Sequence, residues 1–348
     1  MSCLVFCTGG GQNSGIGHVM RCQALAQAAE EQVLESLFIV NEAARKFILQ
    51  RHEWCGAVLL AADTEQAVTS QVIAASETRR AVAIVVDGYD FSEAVLKTLS
   101  QVNVPLVLLD DIRQPGHQYA DIISNPAGEV WQHEYQQANA KAMLCLGPQY
   151  RLLRREFSVT AALPVKHRFS LTINMGGSDP AGLTLPVLSA LSEVLPEAPF
   201  RVVTGPGFNP SALAELKTFI TGSERAIQHV HNCQDMADIW VNARLAVAAA
   251  GGSQFELVAC QTPSVLITVA ANQRQASQQA TREGWCQVVS GGPGIDISAL
   301  ATTVKKLWQD EAQLTEMSKA AEVFAITDGA WQLLDAIGQW HDKFAEPS

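Results

Sequence analysis

Short apolar runs alternate with helix-like stretches along the whole chain, and this alternation constrains the fold more than any other feature. Runs such as Leu4–Thr8, Val82–Val86 and Leu245–Ala248 have the length and apolar character of buried strands. In such an order, each strand is joined to a parallel neighbour by a crossover helix. The sequence therefore predicts an α/β fold built from parallel sheets.

The chain length and one change in composition predict two domains. At 348 residues, the chain exceeds the roughly 250 to 300 residues at which a single core stops growing. The alternation of strands and helices is interrupted by a charged, loop-like stretch and resumes at Ser170. We predict a first domain over 1–150, a linker over 151–168 and a second domain over 169–329. The segment 330–348 has a helical apolar stripe whose packing partner the pattern does not identify.

Charge and hydropathy exclude several classes of partner. The formal net charge is −11 and the chain has no block of Lys and Arg, so nucleic acid is not an expected partner. No stretch approaches the roughly 18 apolar residues of a membrane span, and the beginning of the chain lacks a basic region before its apolar run. We expect a cytoplasmic protein with no membrane partner.

The eight cysteines are scattered without metal-ligand spacing, and no His-rich tract accompanies them. In a long chain without a secretion signal, reduced and buried thiols are expected rather than disulfides. We expect no metal site.

A glycine-rich loop follows the first predicted strand and runs from Thr8 to His18, where a helical pattern begins. Glycines such as Gly17 let a ligand approach the backbone, and the N–H groups of a helix start favour an anion. Because His18 follows a strand end, where open α/β sheets bind ligands, it is a candidate general base. Packing or capping of the helix is the alternative for His18. Arg21, one turn later, either binds an anionic group or faces solvent.

Polar residues also follow three later strands of the first half. Asp87 and Tyr89 come after one strand, Asp111 after the next, and Asn125 after a third. These side chains can bind sugar hydroxyls or orient a base. The structural alternatives are a helix N-cap for the two carboxylates, favoured for Asp111, and an Asn-Pro turn for Asn125.

The second half has two glycine turns, each between a strand and a helix, of the kind that binds phosphate. The first contains Gly177 and Ser178, and the second contains Gly252 and Ser253. Glu256, one turn into the following helix, can accept both hydroxyls of a ribose, whereas Ser253 and Glu256 also match a capping box. Further amides at the same sheet edge are supplied by Asn272, which is also a candidate N-cap, and Gln273.

Four motifs in this order resemble the UDP-2,4-diacetamido-2,4,6-trideoxy-β-L-altropyranose hydrolases of pseudaminic acid biosynthesis. The resemblance covers nearly the whole chain, and the wider kinship is with MurG-like GT-B glycosyltransferases. The motifs are Gly15-Ile16-Gly17-His18-Val19-Met20-Arg21-Cys22, Leu146 to Arg154, Gly176-Gly177-Ser178-Asp179-Pro180, and Ala250-Gly251-Gly252-Ser253 through Asn272-Gln273.

The resemblance implies a GT-B fold, with two Rossmann-like domains whose parallel sheets face a cleft. It implies that the first domain acts on the sugar, that the second binds UDP, and that the final helix crosses back to the first domain. His18 would be the general base that activates water at the anomeric carbon, and Arg154 would contact the substrate. No cofactor or divalent cation is implied. The implied setting is flagellin glycosylation, with other enzymes of the sugar pathway as candidate partners.

The chain departs from the family's first loop, because Cys7 and Gly9 occupy the places of an Arg and an Asp, and Gly88 that of a His. The leading hypothesis is hydrolysis of a UDP-linked amino or deoxy sugar. The alternatives are a GT-B glycosyltransferase, in which an acceptor hydroxyl replaces water, and a non-catalytic nucleotide-sugar binding subunit.

Overall fold

The computed structural model describes residues 2–10, 15–270, 273–291 and 294–344, except the side chain of Phe344. The chain forms two compact units, one made of Met1–Arg155 with Ile326–Ser348 and the other of Glu156–Ala325. Each unit is a parallel-sheet α/β domain. The fold class expected from the alternation of strands and helices is confirmed.

The described part of the first domain contains a seven-stranded sheet in which all strands are parallel. The strands are β1 (Cys3–Thr8), β2 (Glu35–Val40), β3 (Ala57–Leu60), β4 (Ala81–Asp87), β5 (Leu106–Leu109), β6 (Ile122–Asn125) and β7 (Met143–Leu146). Their spatial order is β3-β2-β1-β4-β5-β6-β7. The helices are α1 (Gly17–Glu31), α2 (Glu42–Ile48), α3 (Glu65–Thr78), α4 (Glu93–Leu99) and α5 (Gln132–Ala138).

Strand β1 is buried along its whole length because helices cover both faces of the sheet. Its side chains alternate between two cores, as the two-residue period of a strand requires. Leu4 and Phe6 pack with residues of α1 and α2, whereas Cys3, Val5 and Cys7 pack with residues of α3 and α4. Each large apolar side chain buried in this way contributes roughly 1.5 to 3 kcal/mol.

The second domain repeats the plan with a six-stranded parallel sheet in the described residues. Its strands are β8 (Ser170–Asn174), β9 (Phe200–Thr204), β10 (Ile227–His231), β11 (Ala243–Ala249), β12 (Ser264–Thr268) and β13 (Cys286–Ser290), in the spatial order β10-β9-β8-β11-β12-β13. Its helices are α6 (Glu156–Val159), α7 (Thr184–Val194), α8 (Pro210–Thr221), α9 (Met236–Val241), α10 (Ser253–Ala259), α11 (Arg274–Glu283), α12 (Ile297–Gln309) and α13 (Glu311–Glu322).

Both sheets have a switch point, where the chain changes the direction in which it adds strands. In the first sheet it lies between β1 and β4, and in the second between β8 and β11. Loops that leave neighbouring strands on opposite sides of a switch point diverge, and the crevice between them binds ligands at the carboxyl ends of the strands. Thr8 and Asp87 pair across the first switch point, and Asn174 and Ala248 pair across the second.

The last helix, α14 (Gly329–Phe344), packs within the first domain. Leu333 and Ile337 share the core that contains Leu4 and Phe6, and the ring Nε2 of His341 lies 2.7 Å from the carbonyl oxygen of Val82. The apolar stripe of 330–348 is therefore covered by α1 and by the sheet.

Three general features of the described residues concern membranes, metals and thiols. No helix there combines the length and the apolar character needed to cross a bilayer. Nor do three or more His, Cys, Asp or Glu side chains gather there as a metal-binding group would require. All eight cysteines lie in the described ranges and are free thiols, six of them buried.

Arg168 anchors the chain to the second domain just before β8. Its side chain is 3% exposed, and burial lowers its pKa to about 10, so it remains charged at neutral pH. The guanidinium donates to the carbonyl oxygens of Leu163 (2.7 Å) and Cys260 (3.2 Å) and to the hydroxyl of Thr262 (3.0 Å). Because Cys260 caps the end of α10, the cation also lies at the negative end of that helix dipole.

Replacing Arg168 by lysine should lower the free energy of unfolding by about 2 to 3 kcal/mol, because one ammonium cannot reach three divergent buried acceptors. Urea unfolding followed by circular dichroism measures the change. Arg79→Lys is the matched control, since Arg79 forms an exposed pair with Glu35 at 3.8 Å and should change the value by less than about 0.5 kcal/mol. Equal effects of the two substitutions would contradict the anchoring role.

Candidate functional site

The switch point of the first sheet carries a cluster of ionisable side chains. His18 is the second residue of α1, directly after the loop that leaves β1, and Asp87 is the last residue of β4. His18 is 6% exposed and Asp87 is fully buried. Gly17, the first residue of α1, is exposed, and a side chain there would meet open space, so sterics alone do not require a glycine.

His18 and Asp87 form a close hydrogen-bonded pair. Nδ1 of His18 lies 2.7 Å from Oδ1 of Asp87, and the thiol of Cys22 donates to Oδ2 at 3.7 Å. Burial raises the pKa of the Asp87 carboxyl, but the charges and hydrogen bonds of Arg21 and His18 outweigh it, and the pKa is below its usual value. Asp87 is thus ionised at neutral pH, so Nδ1 of His18 carries the proton and donates it to Asp87. In the neutral ring, Nε2 is then the nitrogen that can accept a proton.

Arg21 joins two carboxylates. Nε and Nη2 donate to the two oxygens of Asp87, at 2.5 and 2.6 Å, and Nη1 donates to Oδ1 of Asp111 at 2.6 Å. Burial lowers the pKa of Arg21, but the two carboxylates raise it well above its ordinary value. Nη2 also lies 3.3 Å from Nδ1 of His18. Arg21 is half-buried and makes ion pairs within the domain, so the solvent-facing alternative does not describe it. Binding of a ligand anion by Arg21 stays a prediction.

Tyr89 and Asp111 extend the cluster. The hydroxyl of Tyr89 donates to Oδ2 of Asp111 at 2.7 Å. The Tyr89 ring meets the His18 ring edge to face, with centroids 4.7 Å apart and planes at 89°. Asp111, which sequence reasoning favoured as structural, therefore belongs to the His18 cluster. Its position two residues beyond β5, the neighbour of β4, was the available signal.

Asp110 and Asn125 form a separate buried network, which is where the structure corrects the expectation that Asn125 faces a sugar. Asn125 is 1% exposed, and its side-chain oxygen accepts from the Ala127 amide at 3.0 Å in a tight turn. Its amide nitrogen donates to the hydroxyl of Tyr135 (3.2 Å), which donates to Asp110 (2.7 Å). Burial and hydrogen bonding inside the domain make Asn125 a turn-forming residue, the alternative considered above.

Cys7 and Gly9, at the places of the family's Arg and Asp, differ in environment. The Cys7 side chain is buried in the core, and burial raises its pKa to about 12. A Cβ at Gly9 would lie 3.0 Å from Nδ2 of Asn41. Asn41 in turn accepts from the Gly10 amide (3.3 Å), donates to its carbonyl oxygen (2.9 Å) and caps α2. Sequence reasoning missed this role of Asn41, although an Asn before a helix is a common cap.

In the second domain, the first glycine turn leaves β8 at the switch point. Gly176 has φ +82°, in the left-handed region that favours glycine, and its amide donates to Oδ1 of Asn174 at 3.2 Å. The carbonyl oxygen of Gly177 accepts from the Gly207 amide at 3.1 Å. A Cβ on Gly205 would lie 2.4 Å from that same oxygen, so the two loops pack backbone to backbone. Ser178 lies in this turn.

The start of α7 is already occupied by a carboxylate of the chain. The two oxygens of Asp179 accept from the amides of Leu183 (2.9 Å) and Thr184 (2.8 Å). The N–H groups of Leu183 and Thr184 are therefore already bonded to Asp179. The predicted phosphate contacts of this turn are those of its own small residues, including Gly177 and Ser178.

The second glycine turn leaves β11, and the capping box that was the alternative for Ser253 and Glu256 does not form there. Gly252 is the N-cap of α10 and makes no side-chain cap, while the hydroxyl of Ser253 lies 3.5 Å from Oδ1 of Asn174. Glu256 accepts from the indole Nε1 of Trp240 at 3.0 Å. The contact with Asn174 places the Ser253 hydroxyl beside the strand of the first glycine turn.

Three predicted site residues remain, namely Gln273, Asn272 and Arg154. Oε1 of Gln273 accepts from the amides of Val269 (2.8 Å) and Ala270 (3.3 Å), and its Nε2 lies near Gly251. Asn272 lies outside the described residues. Arg154 lies in the first domain, where it is buried and 7% exposed.

Comparison with known proteins identifies distant relatives. No protein-family model matches the chain. The spore coat polysaccharide biosynthesis protein SpsG of Bacillus subtilis (strain 168) is 22% identical over 321 residues, covering 89% of this chain and 86% of SpsG. An uncharacterized protein of Methanocaldococcus jannaschii is 24% identical over 268 residues, covering 75% of this chain. The chain spans 54%, about half, of that relative's length.

Solved structures match the chain over almost its full length. The S. aureus MnaA–UDP co-structure has a TM-score of 0.70 at 13% identity, covering 100% of this chain and 99% of that one. MurG of Acinetobacter baumannii has a TM-score of 0.65 at 14% identity, with coverages of 97% and 99%. The UDP-GlcNAc 2-epimerase of Neisseria meningitidis, bound to UDP-GlcNAc, has a TM-score of 0.67 at 10% identity, with coverages of 97% and 100%. The two parallel-sheet α/β domains are therefore those of a GT-B-like fold.

The lowered pKa of Asp87 predicts how its contribution to stability depends on pH. A carboxyl whose pKa is depressed by folding stabilises the protein fully above its unfolded pKa of about 3.9, and this stabilisation is lost as the pH falls through the folded value. At pH 7, Asp87→Asn should lower the free energy of unfolding by about 2 to 3 kcal/mol. Below about pH 4 the difference from the unaltered protein should shrink.

Urea unfolding at pH 7 and at successive values below pH 5 measures both effects. Asp63→Asn removes an exposed carboxylate of the same domain and is the control, with little effect at either pH. A deficit in Asp87→Asn that stays constant through the acid range would contradict the assignment of an ionised, stabilising carboxylate.

Proposed function

We propose that this protein is an enzyme that hydrolyses a UDP-linked amino or deoxy sugar at its anomeric C–O bond. The His18–Asp87 pair at the first switch point carries the proposal. A buried, ionised carboxylate at 2.7 Å from Nδ1 keeps the imidazole in one tautomer and stabilises it once protonated. These are the requirements of a general base.

In the proposed step, Nε2 of His18 takes a proton from water while the water oxygen bonds to the anomeric carbon. The bond from that carbon to the diphosphate oxygen breaks, and its electron pair leaves with UDP. The products are the free sugar and UDP, and the proton on His18 returns to solvent. Asp87 holds the ring and balances the charge of the imidazolium, so it acts through His18.

The proposal assigns UDP to the second domain. Its two glycine turns flank a switch point, where the absence of Cβ atoms lets a diphosphate approach backbone N–H groups. Asp179 already fills the start of α7, so small residues of the two turns, including Ser178, Gly252 and Ser253, are the proposed phosphate contacts. Glu256 and Gln273 are the proposed contacts to the nucleoside.

The fold supports a nucleotide-sugar ligand, since MnaA and the Neisseria epimerase are described with UDP and UDP-GlcNAc. For the substrate we propose UDP-2,4-diacetamido-2,4,6-trideoxy-β-L-altropyranose, on the motif resemblance given above. The proposed step uses no cofactor and no metal ion, so EDTA should leave its rate unchanged.

A glycosyltransferase is the second candidate, favoured by the likeness to MurG. Its chemistry differs only in the nucleophile, because an acceptor hydroxyl would lose the proton to His18 in place of water. NMR analysis of the sugar product, with and without added acceptor sugars, separates the two activities. Water as the nucleophile yields the free sugar in both samples.

His18→Ala should lower UDP release by at least about 100-fold, the lower end of what a general base contributes, and should leave the Kd for UDP within about twofold. Release is followed by ³¹P NMR on UDP-linked diacetamido sugars, and UDP binding by calorimetry. His133→Ala, an exposed histidine of the same domain, is the control and should retain full activity. Unchanged turnover in His18→Ala would rule out His18 as the base.

The same measurements test the non-catalytic alternative. A chain that binds UDP but releases none from a panel of UDP-sugars would be a binding subunit, and the hydrolase proposal would fail.

The packing of Gly205 against Gly177 offers a test of the nucleotide site. In Gly205→Ala, the new Cβ would lie 2.4 Å from the Gly177 carbonyl oxygen, so the first glycine turn must shift. We expect UDP affinity to fall at least about tenfold, measured by calorimetry, because a displacement of this size breaks hydrogen-bond geometry. Gly222→Ala, whose Cβ would meet its nearest atom at 3.4 Å, is the control. Equal UDP affinity in the two variants would contradict a role for this turn.

A further inference from the structure

The His18 cluster contains one more negative charge than a histidine–carboxylate pair needs. Arg21 contacts both Asp87 and Asp111, so one guanidinium is shared between two carboxylates. With the imidazole neutral, these three side chains carry a net charge of −1. When His18 takes up a proton, the cluster becomes neutral.

Asp111 affects how strongly Asp87 can stabilise the protonated form of His18. Without Asp111, Arg21 and the buried Asp87 would form a neutral pair, and a proton on His18 would add an uncompensated positive charge. With Asp111 present, part of the Arg21 charge is balanced elsewhere. Asp87 then retains negative potential at Nδ1, where the imidazolium needs it.

Asp111 also constrains the geometry on two sides of His18. Its Oδ1 accepts from Arg21 at 2.6 Å, and Arg21 holds both oxygens of Asp87. Its Oδ2 accepts from Tyr89 at 2.7 Å, and the Tyr89 ring packs against His18. Asp87 therefore fixes the His18 ring at Nδ1, and the Tyr89 ring packs edge to face against it. Asp111 is linked to both contacts, through Arg21 to Asp87 and directly to Tyr89.

We infer that Asp111 is a positioning residue that, through Arg21 and Tyr89, orients His18 and maintains the excess negative charge that stabilises its protonated form. The inference deepens the proposed function and, in its kinetic consequences, rests on it. The Asp111 carboxylate is bonded to Arg21 and Tyr89 and acts on the proposed reaction through His18.

The groups that face His18 in the described structure come from three elements. Helix α1 contributes Arg21 and the thiol of Cys22, the end of β4 and its loop contribute Asp87 and Tyr89, and the end of β5 contributes Asp111. Arg21 and the two carboxylates are charged at neutral pH. Removing the negative charge of Asp111 therefore disfavours the positive charge that His18 gains on protonation, and this gives the direction of the expected change.

The test compares Asp111→Asn with the unaltered protein over pH 5 to 9. A base must be unprotonated to act, so the rate falls on the acid side as His18 is protonated. We expect the acid limb of kcat/KM to move down by about half to one pH unit. We expect kcat on the plateau to fall about tenfold, because a weaker and less well oriented base removes the proton more slowly, while KM stays within about threefold.

Two variants control for structure and for net charge. Asp111→Glu retains the carboxylate, so its acid limb should coincide with that of the unaltered protein. Asp63→Asn removes one exposed negative charge from the same domain and should leave both the limb and kcat unchanged. A loss of rate in Asp111→Asn without movement of the limb would show a merely structural role and would overturn the inference.

A measurement without substrate separates this inference from the proposed function. In protein labelled with ¹⁵N-histidine, the His18 ring signals are assigned by their loss in His18→Gln. The pH midpoint of their titration should be lower in Asp111→Asn than in the unaltered protein and unchanged in Asp63→Asn. If this shift occurs but no UDP-sugar is hydrolysed, the charge role of Asp111 stands and the hydrolase proposal fails.

Equal midpoints in Asp111→Asn and the unaltered protein would overturn the inference, whatever the activity. If Asp111→Asn does not fold, Asp111→Ala, which also removes the negative charge, replaces it in both measurements. The inference requires a lower midpoint in that variant, and an unshifted midpoint would overturn it.

Discussion

The buried carboxylate of Asp87 is the constraint on which the first domain's switch point depends. An ionised carboxylate with no exposed surface is costly unless its charge is compensated. Arg21 provides the compensation, and His18 and Cys22 provide further hydrogen bonds. Through these contacts, Asp87 ties the end of β4 to the start of α1. Because Arg21 also reaches Asp111, the end of β5 is tied to the same cluster. One buried charge thus sets the geometry of three chain segments.

The two domains share one topology but have different chemistry at their switch points. In both sheets, the first strand lies between its successor and the fourth strand, so each has a crevice at the same place. The first crevice contains a histidine, an arginine and two carboxylates, which are suited to proton transfer. The second contains glycine turns and a serine that contacts Asn174, which are suited to a phosphate group. A repeated fold therefore carries two different sets of side chains at the same place.

Much of the fold follows from the amino-acid sequence because buried strands require unbroken apolar runs. Strands β1, β4 and β11 begin and end within two residues of the apolar runs that predicted them. Helix α5 was not predicted, because its sequence, QHEYQQA, is polar and has no apolar stripe. Its only buried side chain is Tyr135, and the contact that stabilises it, with Asp110, is distant in sequence. The capping box, considered as an alternative for Ser253 and Glu256, does not form, because Gly252 is the N-cap of α10 and Glu256 accepts from Trp240, a residue of another helix.

For the candidate site, the sequence by itself determined which residues follow the strand ends, since strand order along the chain places His18, Asp87 and Asp111 at one edge of a parallel sheet. Only the tertiary structure decided what each does. Asp87 and Asp111 both hold Arg21, whereas Asn125 turns inward to Tyr135. The physical reason is that charge pairing depends on distances of a few ångströms between segments far apart in sequence. A linear pattern places a side chain at an edge, but its partner is chosen by packing.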